Sequence, residues 1–218
     1  LVSVATRPEH VAALVARAPE AMSCGVSSDE EFAPLLEAAD VLVVGPGLGD
    51  AAWSRQLLHR SLASGKPVLL DADALTMRAK GVVEDSGAGP RIMTPHPGEA
   101  ARLLGTTAAV VQADRFAAVE ELQARYAATV VLKGNGSLIA DREQTLLSDY
   151  GNPGMASGGM GDVLSGVIGS LWAQGLTAIE AAALGTCLHG AAADVAAEEG
   201  QRGLLATDLL PRLRALLG

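Results

Sequence analysis

Residues 151–162 read Gly-Asn-Pro-Gly-Met-Ala-Ser-Gly-Gly-Met-Gly-Asp and lead directly into a helical pattern. Consecutive glycines let the backbone turn several N–H groups toward one point, and a helix start adds partial positive charge there. The stretch is therefore typical of a phosphate-binding loop. Asp162 falls in the first helical turn, where its carboxylate could take a proton from a hydroxyl that attacks phosphorus. The alternative is a tight turn followed by an ordinary acid at a helix start.

In the part of the chain before this loop, short strands rich in branched residues alternate with helical patterns. This alternation favours an α/β fold with a mostly parallel sheet and helices on its faces. Strands 138–140 and 145–147 are expected to form an edge hairpin, and Thr207 to cap a last helix that runs to Leu217. Without an internal repeat or linker, residues 1–218 are predicted to form one domain. The other predicted strands are 2–6, 41–44, 68–71, 92–94 and 130–132, and the other predicted helices are 9–17, 30–39, 52–63, 98–104, 114–127, 163–172 and 179–198.

The composition limits the partners of the chain. Its 218 residues carry a net charge of −9, and no basic stripe interrupts the acidic residues, which argues against a nucleic-acid partner. Two cysteines are too few for a disulfide framework or a zinc cluster. No apolar run is long enough to predict a membrane span, and the first residues form a predicted strand without the basic and apolar segments of a secretory leader, so none is expected. A cytoplasmic protein is the expectation.

A second glycine loop, Gly-Pro-Gly-Leu-Gly-Asp at residues 45–50, lies between a predicted strand and a predicted helix. It differs from a dinucleotide-binding fingerprint because Asp50 stands where the third glycine should be. Pro46 also removes a backbone donor from the loop. We interpret the loop as a close approach of the backbone to a ligand cleft at the carboxyl ends of the strands. The alternative is a simple turn.

His96 stands between two prolines, directly after the predicted strand 92–94. The prolines hold the backbone extended, so the imidazole is presented at the carboxyl end of the strand, where it could bind a polar ligand. A structural histidine that bonds nearby backbone is the alternative. Glu99 is explained equally well as an acid favoured by the dipole of the helix that follows.

Polar residues also follow two further strands. Lys133 closes the strand 130–132 and begins a turn containing Asn135 and Gly136, so it either belongs to a simple hairpin or offers its ammonium to a phosphate. Asp71 and Asp73 follow the strand 68–71. Either carboxylate could hold Mg²⁺ through water, and Asp73 could instead be the N-cap of the next helix.

Together these stretches resemble one family, the ADP- or ATP-dependent NAD(P)H-hydrate dehydratases of the ribokinase-like superfamily. The Gly-x-Gly-Asp element alone indicates only a ribokinase-like protein, whereas the preceding Asn-Pro-Gly-Met-Ala-Ser-Gly indicates the dehydratase branch. The matching segments span nearly the whole chain: VLVVGPGLG (41–49), DADAL (71–75), TPHPGEAARLLG (94–105), LKGNGS (132–137) and GNPGMASGGMGDVLSG (151–166).

The resemblance implies a ribokinase-like three-layer sandwich, in which a mostly parallel central sheet is flanked by helices. It also implies an enzyme, a carbon–oxygen lyase that restores NADH or NADPH after water has been added to the nicotinamide ring. In such enzymes the added hydroxyl is phosphorylated and the phosphate then leaves. The resemblance implies ADP as the co-substrate of a bacterial-type enzyme, with ATP as the alternative, and Mg²⁺ as the metal ion.

Transferred position by position, the resemblance makes Asp162 both the catalytic base and a substrate contact. Gly47, Gly49 and His96 would also bind the hydrated cofactor, and Gly161 would hold nucleotide phosphate. It assigns no metal ligands. The remaining residues expected to contact the adenine nucleotide are Lys133, Gly134, Asn135, Gly136 and Ser137.

Two departures from the family pattern bear on this assignment. Ser137 stands where the family usually has Thr, a change that keeps the hydroxyl. The family's domain normally begins earlier, with a strand and a Gly-Gly-Ser-like loop, so the chain is expected to lack that N-terminal strand–loop–helix portion. The resemblance further implies a homo-oligomer, a tetramer, and allows for a fused domain that epimerises the hydrate.

Other functions remain open at this stage. A small-molecule kinase of the same superfamily, acting on a vitamin precursor or a sugar, would share Gly161 and Asp162. A nucleotide-sensing or scaffold module would bind without turnover. An oxidoreductase is disfavoured by the glycine spacing of residues 45–50.

Overall fold

A six-stranded sheet forms the centre of the fold in the computed structural model, which describes residues 1–83 and 88–218. The strands are β1 (Ser3–Thr6), β2 (Met22–Gly25), β3 (Leu42–Val44), β4 (Val68–Leu70), β5 (Arg91–Met93), β6 (Thr129–Leu132), β7 (Ser137–Ala140) and β8 (Thr145–Ser148). The sheet has the order β3-β4-β5-β6-β7-β8. Strands β3 to β6 run parallel, whereas β7 and β8 are added as antiparallel hairpins. Strands β1 and β2 form a separate parallel pair.

Helices cover both faces of this sheet. The helices are α1 (Val11–Arg17), α2 (Asp29–Ala38), α3 (Ala52–Ala63), α4 (Ala72–Ala79), α5 (Pro97–Leu104), α6 (Ala108–Ala113), α7 (Arg115–Tyr126), α8 (Met160–Ala173), α9 (Ala178–Ala197) and α10 (Leu209–Leu217). Successive strand residues point to opposite faces. In β4, Leu70 packs with α3, α4, α5 and α7 on one face, and Leu69 packs with α8 and α9 on the other. The predicted α/β architecture with helices on both faces is thus confirmed.

Most predicted elements are present, with shifts of a few residues at their ends. The expected hairpin is confirmed as β7 and β8. Among the described residues, β2 and α6 were not predicted, and α4 was expected only as a helix without stated bounds. Strand β2 contains small residues and a glycine instead of a branched run, and α6 has only six residues. In the part of the chain that the structure describes, no helix combines the length and the apolar character needed to cross a membrane.

Two predicted helix caps are wrong. The N-cap of α4 is Asp71, whose carboxylate accepts from Ala72 N, and Asp73 lies inside the helix. Thr207 does not cap α10, because residues Ala206–Asp208 form a short 3-10 turn before it. In that turn Asp208 accepts from the backbone N–H of Leu205 at 2.8 Å. Both errors have the same cause. Two residues of a type that favours the N-cap position lie close together, Asp71 with Asp73 and Thr207 with Asp208, and the sequence does not show which of the two precedes the first helical residue.

The loops that follow β3 to β6 meet along one edge of the sheet. Backbone bonds continue the ladder beyond the strand ends: Asp71 N donates to Val44 O (3.1 Å), and Thr94 N donates to Leu70 O (3.1 Å). In the same way Lys133 N donates to Pro95 O (2.9 Å). The residues that follow the neighbouring parallel strands therefore lie side by side. In sheets of this kind, ligands bind at the carboxyl ends of the strands.

Candidate active site

A buried carboxylate, Asp71, lies at the centre of this edge. Its side chain accepts from Lys133 Nζ at 2.9 Å, from Ser165 Oγ at 2.7 Å and from Ala72 N at 2.9 Å. Asp71 is only 1% exposed, so its charge depends on these donors. Its oxygens are occupied by protein groups, and the pair formed with Lys133 connects β4 to the end of β6.

Lys133 connects this carboxylate to the start of α8. Its ammonium lies 3.9 Å from Glu99 Oε2 as well as 2.9 Å from Asp71 Oδ1. A methyl group placed on Gly161 would lie 3.2 Å from Lys133 Nζ and 3.7 Å from Asp71 Oδ2. A positive charge therefore stands directly beside the first turn of the helix that follows the glycine loop. Of the two sequence interpretations of Lys133, the hairpin is confirmed by the antiparallel pairing of β6 and β7, and the contact with a phosphate stays a prediction.

The first turn of α8 presents the features that the glycine pattern predicted. Gly159 is the N-cap, in the left-handed region at φ 86°, and no side chain of the described residues caps the helix there. The N–H groups at this helix start are therefore left for a ligand or water. Asp162 lies in this first turn and is exposed, immediately after Gly161.

The loop of residues 45–50 contacts the segment that carries Asp71 and Asp73. Gly45 has φ 134°, and a side chain there would overlap the carbonyl oxygen of Asp71, so only glycine fits. Gly49 donates its N–H to Asp73 Oδ2 at 2.8 Å. Gly47, with φ 63°, has no heavy atom within 4 Å of the position where its Cβ would be, so open space lies beside it. The loop is therefore a close backbone approach with room on its outer side.

His96 has a structural role and still presents one ring nitrogen. It is the N-cap of α5, and its Nδ1 accepts from the N–H groups of Gly98 (2.9 Å) and Glu99 (3.4 Å). A neutral imidazole whose Nδ1 accepts must carry its proton on Nε2. The side chain is 52% exposed, with Nε2 3.6 Å from Glu99 Oε1. His96 can thus cap the helix through Nδ1 while Nε2 meets a ligand.

Arg115, at the start of α7, holds the turn of residues 133–137 and was not recognised from the sequence. Its guanidinium donates to Leu132 O (3.1 Å) and to Asn135 O (2.6 Å), on the two sides of Gly134. Burial lowers the pKa of Arg115. The sequence signal for this contact is weak, because an arginine at a helix start gives no hint that it reaches a turn further along the chain.

His189, on α9, is buried and was also not recognised from the sequence. It is 5% exposed, and its Nε2 has no hydrogen-bond partner among the described residues. Burial lowers the pKa of His189 to about 4, a shift that a hydrogen bond to the backbone of Met160 opposes and the charge of Lys133 reinforces. The imidazole is therefore neutral in the folded chain at physiological pH.

This burial predicts a pH-dependent loss of stability. Between pH 6.5 and about 4 the unfolded chain protonates His189 and the folded chain does not, so the unfolded state binds more protons. The contribution of His189 is fully present above pH 6.5 and falls by about 3 kcal/mol as the pH approaches 4. Urea unfolding at pH 7.5 and pH 4.5 should show a smaller decrease for His189→Gln than for the parent chain. The exposed-site variant His59→Gln should behave like the parent, and equal decreases in all three proteins would contradict the assignment.

The contacts bring together three of the predicted site residues, Lys133, Gly161 and His96, whereas Gly49 is bonded separately to Asp73. Asp71 connects Lys133 to Gly161, and Glu99 connects Lys133 to His96. The structure adds Ser165, Arg115 and His189, which the sequence did not single out, and it gives Asp71 the role of ion-pair partner of Lys133.

The comparison with known proteins agrees with this geometry. A family model described as NAD(P)H-hydrate dehydratase matches residues 1–214. The chain belongs to the NAD(P)H-hydrate dehydratase family. Among curated members of the family, the bifunctional NAD(P)H-hydrate repair enzyme of Coxiella burnetii is 51% identical over 219 residues, which cover 100% of the chain and 44% of that protein. The chain thus spans less than half the length of this bifunctional relative.

Two further members of the dehydratase family are similar over most of the chain. The ADP-dependent (S)-NAD(P)H-hydrate dehydratase of Neisseria meningitidis is 48% identical over 182 residues, covering 80% of the chain and 62% of that protein. The ADP/ATP-dependent NAD(P)H-hydrate dehydratase of Bacillus subtilis, co-crystallised with ATP/Mg²⁺, superposes with a TM-score of 0.85 at 29% identity. This superposition covers 99% of the chain and 77% of the solved one. These matches confirm the family and the fold that the sequence resemblance implied.

Proposed function

We propose that the chain dehydrates hydrated NADH and NADPH to the intact cofactors, with ADP, or ATP in its place, as phosphoryl donor. The observation that carries the proposal is the exposed Asp162 in the first turn of α8, directly after Gly161, beside which the Lys133 ammonium lies. An acid beside an anion-binding helix start suits a reaction in which a hydroxyl attacks phosphorus. The names of the relatives supply the substrate class.

In this proposal the nucleotide phosphates bind at the start of α8. The free N–H groups there and the Lys133 ammonium provide positive potential in a chain with a net charge of −9. The turn of residues 133–137, held by Arg115 and carrying the Ser137 hydroxyl, would contact the nucleoside. Gly161 has no side chain, so a phosphate can approach its backbone closely.

Mg²⁺ fits this site as an ion that arrives with the nucleotide. Within residues 1–83 and 88–218, no group of three or more His, Cys, Asp or Glu side chains is placed to hold a metal ion. Mg²⁺ keeps several waters and is commonly bound through substrate phosphates and one or two carboxylates, so a protein cage is not required. Glu99 would hold its water ligands, because Glu99 Oε1 lies 3.6 Å from His96 Nε2, beyond hydrogen-bond distance, and can still accept from a water. The ion would neutralise phosphate charge.

The chemistry then needs one base. Asp162 would accept the proton of the added hydroxyl, whose oxygen attacks the terminal phosphorus of ADP while the bond from phosphorus to the AMP oxygen breaks. The phosphate then leaves with the electron pair of its carbon–oxygen bond, assisted by the ring nitrogen, and the adjacent carbon loses a proton. The sum is hydrated cofactor plus ADP giving NAD(P)H, AMP and phosphate.

The substrate would lie between Asp162 and the loop of residues 45–50. Open space beside Gly47 leaves room for the dinucleotide, and the Nε2–H of the half-exposed His96, 3.6 Å from Glu99 Oε1 and beyond hydrogen-bond distance of it, would donate a hydrogen bond to the substrate. Because Nδ1 of His96 is already committed to the start of α5, the ring orientation is fixed before the substrate binds.

The proposal is tested by incubating the chain with hydrated NADH, ADP and Mg²⁺. We expect the absorbance band of reduced nicotinamide to return, with one AMP and one phosphate formed for each NADH. Omitting ADP should prevent the return. If no NADH appears while a vitamin alcohol or a sugar is phosphorylated instead, the small-molecule kinase is the correct function.

We also propose that residues 1–218 act as one dehydratase domain in the cytoplasm. The length of the bifunctional relatives supports a fused hydrate epimerase domain in the whole protein, since the chain covers only 44% of one of them. The assembly proposed is a homo-tetramer, which light scattering of the purified chain would test.

A further inference from the structure

The helix α9 holds the start of the glycine loop through one acid, Asp194. Its Oδ2 accepts from the N–H of Gly151 at 2.9 Å, and its Oδ1 accepts from Nδ2 of Asn152 at 3.0 Å. Asn152 in turn bonds the next part of the loop: its Oδ1 accepts from the N–H of Gly154 at 3.0 Å. One carboxylate thus fixes three successive polar groups of the loop.

The backbone of the same helix also touches the loop. Gly190 lies one turn before Asp194, and a Cβ there would come within 2.8 Å of the carbonyl group of Tyr150. At the other end of the loop, Ser157 Oγ donates to Leu204 O at 3.0 Å. The loop is therefore attached at both ends before it reaches Gly159, the N-cap of α8. Its path depends on these attachments, since glycine-rich backbone has many alternative conformations.

We propose that Asp194 is a positioning residue for catalysis, which acts through Asn152 to fix the path of the glycine loop and so the place of the first turn of α8. The inference rests on the proposed function, in which that turn carries the phosphate-binding N–H groups and Asp162. Both carboxylate oxygens of Asp194 accept from the loop, so in this proposal Asp194 acts through the loop and not by contact with nucleotide or substrate. Small displacements of groups that position reactants lower the rate strongly, so loss of the attachment should decrease kcat more than the affinity for ADP.

The roles of Asp194 and Asn152 can be tested by exchanging the two residues. In Asp194→Ala the loop loses both acceptors, and in Asn152→Asp two carboxylates face each other. In the double variant D194N/N152D, the amide introduced at position 194 can accept from Gly151 N–H and donate to the new carboxylate at position 152. That carboxylate still accepts from Gly154 N–H. The exchange therefore keeps every hydrogen bond and moves the charge from the helix to the loop.

Two readouts separate this role from a general effect on stability. Hydrogen–deuterium exchange of the segment 150–155 reports whether the N–H groups of Gly151 and Gly154 are held, and steady-state kinetics gives kcat and the KM for ADP. We expect each single variant to lose protection there and about tenfold or more in kcat, with a smaller change in KM. The exchange variant should recover both. Glu198→Gln, at the exposed end of α9, should match the parent.

The outcomes decide between the possibilities. The proposal is overturned if Asp194→Ala keeps the parent's protection and kcat, or if the exchange variant folds but stays as impaired as the single variants. If a single variant fails to fold by circular dichroism, the same two measurements on the exchange variant decide the question. Failure of the parent chain to dehydrate hydrated NADH would contradict the proposed function, whereas the protection pattern would still test the attachment of the loop.

Discussion

The Asp162→Asn variant is expected to lose turnover of hydrated NADH by about 10³-fold while it still binds ADP. The substitution keeps the size of the side chain and its place in the first turn of α8, and removes only the group that accepts the proton. Nucleotide affinity should remain near the parent value or rise slightly, because a negative charge next to the phosphates has been removed. Turnover is followed by the reduced nicotinamide band, and binding by calorimetric titration with ADP.

The control for this prediction is Asp40→Asn, which neutralises an exposed acid before β3. It should leave both turnover and ADP binding unchanged. If Asp162 is only an acid that complements the helix dipole, Asp162→Asn would cost a few tenths of a kcal/mol of stability and keep its turnover. That result would support a module that binds the nucleotide without chemistry at this acid.

The Lys133→Met variant is expected to lose both stability and nucleotide affinity. Removing the ammonium leaves Asp71, which is 1% exposed, without its charged partner. It also removes the positive charge that lies 3.9 Å from Glu99 Oε2. Breaking a buried ion pair in this way destabilises a protein by about 3 kcal/mol. The KM for ADP should rise at least about tenfold, because the cation beside Gly161 is gone. Urea unfolding and steady-state kinetics measure the two effects.

Two further variants separate the effects of Lys133 on folding and on binding. Lys80→Met removes an exposed lysine whose ammonium lies 3.7 Å from Asp50, and such a surface pair should contribute less than about 1 kcal/mol. The double variant K133M/D71N neutralises the stranded carboxylate, so it should regain stability without regaining affinity for ADP. Full recovery of ADP affinity in the double variant would mean that Lys133 supports only the fold.

Much of this arrangement could be predicted from the sequence because it depends on local order. The glycine loop, the first helical turn that contains Asp162 and the strands 41–44 and 130–132 each follow from residue types that are neighbours in the chain. The spacing of residues 45–50 also excluded a dinucleotide fingerprint, and the structure shows Gly49 bonded to Asp73 within the fold. Residues close in sequence determine turns, helix starts and strands, so these features could be predicted before the fold was known.

Partners that are distant in sequence could not be predicted. Asp71 and Lys133 are 62 residues apart, and Asp194 and Gly151 are 43 apart, so only the packed fold shows that they bond. By residue type alone Asp71 is a candidate for magnesium, whereas in the fold its oxygens are occupied by Lys133, Ser165 and a backbone N–H. The error over the cap of α4 has a related cause, since Asp71 and Asp73 are equally suited to capping by residue type.

The proposed mechanism depends on one placement, a nucleotide phosphate against the N–H groups at the start of α8 with the side chain of residue 162 facing the hydroxyl to be activated. A crystal structure of the Asp162→Asn variant with ADP, Mg²⁺ and hydrated NADH would measure it directly. We predict the terminal phosphate within hydrogen-bond distance of backbone N–H groups among residues 159–162, and the hydroxyl oxygen about 3 Å from the side chain at position 162. A nucleotide bound away from this helix start, or a hydroxyl held by other residues while side chain 162 faces solvent, would contradict the mechanism.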